Sequence, residues 1–170
     1  MGLSSSKRVS KSLHNSPEFS TTCESVYADC LELTQHAFPG LRPYQLHHAS
    51  TKLHQKLSIT HPLIKKWVPS PPNQSQVDKA LIIIKNQRSI SSDEPEITLG
   101  LTEFKDFSVE VFKEEIVSNA GKAVLQRVPI GIVGIAGIGV LTRSGKEIVG
   151  SVMGVYSLGV ATAVYLSLSG

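Results

Sequence analysis

A chain of 170 residues with 41% hydrophobic residues has the size of one domain and can bury a respectable core. Its net charge of +3 sits in residues 1–16, where Lys7, Arg8 and Lys11 stand without an acid; the other 14 Lys/Arg balance 14 Asp/Glu, which speaks against a nucleic-acid partner. Two cysteines, Cys23 and Cys30, exclude a disulfide framework, and the absence of an apolar h-region from residues 1–16 argues against a secretory signal, so the polar part is expected in a reducing compartment.

Residues 1–16 are Ser-rich and basic and read as a disordered tail. They open Met1-Gly2-Leu3-Ser4-Ser5-Ser6, which matches M-G-x-x-x-[ST], the pattern for N-myristoylation of Gly2 after Met removal. One myristoyl chain binds a membrane only marginally, so a second signal is needed. Lys7, Arg8 and Lys11 supply one through anionic lipid. The same acid-free composition also describes an organelle transit peptide, although Leu3, Val9 and Leu13 make a poor apolar face for one.

Residues 17–127 read as a helical cytosolic domain. Ser16-Pro17-Glu18 is a helix start: N-cap, Pro at the first position, acid in the first turn. Phe19, Cys23, Val26, Tyr27, Cys30 and Leu31 follow at helical spacing, and Phe38-Pro39-Gly40 ends the segment. Pro43 opens a second helix carrying Leu46, Ala49, Leu53 and Leu57, which His61-Pro62 stops. After a stiff Pro69-Ser70-Pro71-Pro72 turn, a third helix is expected from a Ser75 cap through Val77, Ala80, Leu81 and Ile84 to about Arg88. Residues 89–98, with Asp93, Glu94, Pro95 and Glu96, read as a loop. A long amphipathic helix then runs from Leu101 to about Arg127, with Phe104, Phe107, Val111, Phe112 and Ile116 on its apolar face.

Residues 128–170 form a glycine-rich membrane region: ten of the 13 glycines lie at or beyond Gly121, and Arg143, Lys146 and Glu147 are the only charges after Val128. Val149–Leu168 has the length and composition of a spanning helix. Val128–Leu141 would be about 21 Å long as a helix, short of the roughly 30 Å hydrocarbon core. The polar stretch Thr142–Glu147 between them reads as a turn. Two topologies fit. In the first, Val149–Leu168 crosses alone, Ser169-Gly170 is exported, and Val128–Leu141 lies in the near leaflet; this keeps Lys122, Arg127, Arg143 and Lys146 cytosolic and satisfies the positive-inside rule. In the second, both segments cross as a hairpin. Gly150, Gly154, Ser157 and Ala161 line one helix face, a small-residue pattern suited to close helix packing against Val128–Leu141 or another copy of the chain.

The chemistry-bearing residues form no catalytic pattern. His36, His47, His48, His54 and His61 lack the spacing of a zinc motif, so no metal and no other cofactor is expected. Cys23 and Cys30, a heptad apart on an apolar face, read as buried small hydrophobes. Gly131–Gly139 superficially suggests a dinucleotide loop but is wholly apolar and lacks the acidic residue about 20 positions on. Ser16-Pro17 and Ser70-Pro71 are candidate phosphorylation sites, too common as dipeptides to carry weight.

These readings converge on a mainly α protein, a small helical domain followed by a pair of apolar membrane segments. The expected function is a non-enzymatic adaptor or assembly protein on the cytosolic face of a plasma or endomembrane. Its partners would be membrane lipid and either a protein or a second copy of itself. The alternatives are an oligomerising component that shapes or permeates the bilayer, and a chloroplast or mitochondrial membrane protein with a transit peptide.

Overall fold

The computed structural model describes residues 2–87, 98–141 and 146–169. Of the loop expected at 89–98 only Thr98 is described, and most of the turn expected at Thr142–Glu147 lies outside the described residues; Lys146 and Glu147 open the last long helix.

The described chain is helical: α1 (Gly2–His14), α2 (Pro17–Leu33), α3 (Pro43–Thr60), α4 (Pro62–Trp67), α5 (Gln74–Gln87), α6 (Leu101–Leu141) and α7 (Lys146–Leu166), closed by a short 3₁₀ turn at Ser167–Ser169. The first half of α6 is the central element, in contact with α1, α2, α4 and α5. Its Phe104, Phe107, Phe112 and Ile116 are fully buried. Phe112 meets Phe19 of α2 edge-on, with centroids 6.4 Å apart, a favoured aromatic arrangement. Leu46, Leu53 and Leu57 of α3, Leu63 and Ile64 of α4, and Val77 and Ile84 of α5 complete the core.

Polar contacts fix how the helices dock. The Ser16 hydroxyl accepts from the Phe19 N–H at 3.2 Å and caps α2. Gln45 accepts from the Arg42 N–H at 2.9 Å and donates to the Cys30 carbonyl at 3.3 Å, joining the start of α3 to the end of α2. Asn119 of α6 donates to the Trp67 carbonyl at 2.8 Å, holding the end of α4. Leu41 and Leu99 form an isolated antiparallel bridge. Gly40 is required beside it, because a Cβ there would run into the Leu99 carbonyl.

Four expectations need correction. The tail expected at 1–16 is helix α1, because Val9 and Leu13, one turn apart, are fully buried. A Ser-rich segment has little helix propensity of its own, so packing carries it. α2 ends at Leu33 rather than at Phe38-Pro39-Gly40, where Gln35 and His36 take positive φ and turn the chain. α5 is capped by Asn73, not Ser75: the Asn73 side chain accepts from the Gln76 N–H at 3.0 Å and the Gln76 side chain accepts from the Asn73 N–H at 2.8 Å. Finally, α6 does not stop near Arg127 but runs through Pro129 to Leu141. Proline is tolerated in helices of apolar surroundings, where neighbouring groups re-satisfy the freed carbonyl.

Candidate membrane site: an apolar hairpin beside the N-terminal helix

The glycine-rich apolar segments pack together beyond the helical bundle. α6 and α7 pack against each other as antiparallel neighbours. The contact is tightest where Tyr156 lies over Gly131; a Cβ at Gly131 would run into the ring. The Tyr156 hydroxyl donates to the Arg127 carbonyl at 3.3 Å. Glycine at 131 thus serves a close approach, the role small residues take between membrane helices.

The outer faces of this hairpin are apolar and open. Ile130 is 75% exposed and Val133 72% on α6; Val155 is 74% and Leu158 68% on α7. So large an uncovered apolar surface marks an interaction face. Among the described residues, one helix, Glu147–Leu166, is long and apolar enough to cross a membrane by length and composition, and little of it is buried.

The hairpin is anchored at its base. Val164 and Leu168 are buried, and the Ser167–Ser169 turn packs on α1 and α4. The described end of the chain therefore returns to the helical bundle.

The N-terminal helix points toward the same base. Ser6 and Ser10 lie near Lys113 of α6, whereas Ser5 lies near Val117, Gly121 and Val124. α1 therefore runs antiparallel to α6, its Gly2 end directed toward the hairpin. Arg8 sits over the Tyr165 ring at 4.7 Å, a cation–π contact that ties α1 to α7. Lys7 and Lys11 are exposed. The three basic residues thus divide: two face solvent beside His14, and the third holds α7.

The small-residue face divides as well. Ser157 and Ala161 are half-buried, while Gly150 and Gly154 are exposed with nothing within 4 Å of where a Cβ would stand. The hairpin contact uses Gly131 and Tyr156, which the small-residue pattern of α7 alone does not contain. The signal was a glycine–aromatic pair spread across two segments, legible only once their register is known.

Chemistry elsewhere is muted. Burial pushes the Cys23 thiol up to about 12 and raises that of Cys30, leaving both as protonated core groups. Glu24 is held below its usual range by a hydrogen bond from Lys105 at 2.7 Å and by its charge. His54 Nε2 donates to the Val68 carbonyl at 2.8 Å, a structural bond between α3 and the segment after α4. No three His, Cys, Asp or Glu come together as a metal site among the described residues. Comparison with protein-family models, with curated proteins and with solved structures finds no match to this chain.

Proposed function

We propose that this protein is a non-enzymatic, membrane-anchored adaptor or assembly protein on a cytosolic membrane face. The α6–α7 hairpin enters the lipid, the acylated Gly2 adds a second hold, and the bundle of α1–α5 with the first half of α6 is the head that binds a protein partner. The observation that carries this reading is the hairpin's uncovered apolar surface at Ile130, Val133, Val155 and Leu158, which in water would drive association. Lys7 and Lys11, exposed on the helix whose start points at the hairpin base, suit attraction to anionic headgroups. For the partner-binding half, Ile82 and Ile83 of α5 are uncovered beside a groove of about 650 Å³ bordered by Lys79, Glu114 and Val117.

A second reading, an oligomerising membrane component, draws on Gly150 and Gly154. Both stay open in the single chain and would let a second α7 approach closely.

Carbonate extraction of isolated membranes tests the anchor. The chain is expected in the pellet, since paired apolar helices hold far more firmly than surface charge. A tag after Gly170 is expected to be digested together with the head on the outside of sealed, cytosolic-side-out vesicles. Release by carbonate overturns the anchor; a protected tag overturns the hairpin and restores the single crossing.

A further inference from the structure

At the hairpin's base lies an apolar groove of about 280 Å³, walled by Val117, Val124 and Leu125 of α6 and Val164, Tyr165 and Leu168 at the end of the chain. Gly121, an exposed residue of α6, also lines it. Glycine in mid-helix costs about 1 kcal/mol relative to alanine and is normally explained by a neighbour pressed against it. Here nothing lies within 4 Å of where the Cβ would stand. The room that Gly121 leaves opens into the groove and is unfilled by any described side chain. Val117 to Leu125 spans about 12 Å of helix, so the groove is a channel rather than a dimple.

Its mouth is bordered by Ser5 of α1. Gly2 lies three residues earlier on the same helix, a rise of about 4.5 Å. A fatty acyl chain joined to the Gly2 nitrogen therefore starts within reach of the groove, an apolar concavity lined by an uncovered glycine.

We infer that this groove is the intramolecular berth of the Gly2 acyl chain. The inference rests on the acylation of Gly2 in the proposed function. In that reaction the α-amine exposed by removal of Met1 attacks an acyl thioester, an amide forms, and the thiol leaves with the amine's proton. Seated in the groove, the chain's methylenes bury surface against Val117, Val124, Val164 and Leu168. The acyl group then reinforces the junction of α1, α6 and α7, and serves as a second hold on lipid only when it leaves the groove. Arg8, lying over Tyr165 on the groove wall, ties the acylated helix to the same junction.

The experiment uses the full chain, made with an N-myristoyltransferase and a myristate analogue bearing a diazirine near its methyl end, reconstituted in phosphatidylcholine nanodiscs. Intact mass first reports whether Gly2 carries the analogue. Irradiation then fixes the tail to whatever it touches, and peptide mapping locates the adduct. The expected result is an intramolecular adduct within Val117–Leu125 or Ala161–Leu168, lost in Gly121→Leu, whose added side chain fills the channel while improving helix propensity. Gly121→Leu should be acylated as fully as the parent chain and cross-link to lipid instead. An acylated parent chain whose adducts are all with lipid, or whose intramolecular adduct persists unchanged in Gly121→Leu, overturns the berth and leaves acylation standing. A chain with no analogue at Gly2 overturns both.

Discussion

His61 sits between α3 and α4, packed edge-on to Phe19 with ring centroids 6.2 Å apart. Burial lowers its pKa from the ordinary 6.5, with the Glu18 carboxylate opposing the shift weakly. A lowered folded value means that the unfolded chain takes up a proton the folded chain resists. His61 therefore favours the fold above about pH 6.5, and that advantage is lost as pH falls through the unfolded value. The melting temperature is expected to drop between pH 7.5 and pH 5.5, and the drop should be smaller in His61→Phe, which keeps the ring against Phe19 and cannot titrate. Parallel melting curves for the two chains across this range would refute the assignment.

Among elements, α1 is the one whose role exceeds its sequence signal. Val9 and Leu13 present a single apolar turn in a segment dominated by Ser, Lys and Arg, which local patterning cannot distinguish from a tail. The decisive term is tertiary: α6 and the Ser167–Ser169 turn offer α1 a surface. Leu13→Ala is expected to cost about 2–4 kcal/mol. In α1 it should show as faster amide exchange over Gly2–His14, read against an unchanged α3. Equal loss of protection across the whole bundle would instead make α1 part of one cooperative unit.

The strongly periodic elements were legible beforehand. Pro17 and Pro43 start helices as first-position prolines do, and His61-Pro62 ends one. Phe104, Phe107, Phe112 and Ile116 lie where a 3.6-residue period puts them. Boundaries set by reciprocal side-chain bonds, as at Asn73 and Gln76, were not visible from residue types alone, because Ser75 is as good a cap by composition. The candidate site was legible as material but not as arrangement. The apolar segments could be read from the sequence, whereas the Gly131–Tyr156 contact, the open Gly121 and the return of Leu168 to the bundle depend on the register of two helices far apart in the chain.

At the scale of the molecule, the bundle and hairpin differ in the surface they leave exposed. The bundle satisfies its charges in water, as where Lys56 reaches Asp29 at 3.3 Å between α3 and α2. The hairpin leaves apolar surface uncovered at Ile130, Val133, Val155 and Leu158. The 14 residues of Val128–Leu141 make an arm of about 21 Å, some 9 Å less than a typical hydrocarbon core of roughly 30 Å. If the hairpin enters lipid as proposed, this is the shorter of its two arms, since Glu147–Leu166 is long enough to cross, and the bilayer would thin around it at fractions of a kcal/mol for each ångström of mismatch. Thickness thereby becomes a sorting parameter. The endoplasmic reticulum bilayer, at about 27 Å, resists the fit less than a plasma membrane of about 32 Å. Binding to vesicles of fixed headgroup is expected to strengthen as lipid tails shorten. An address of this kind needs no receptor: the length of one helical arm would steer the protein toward the thinner membranes of the cell.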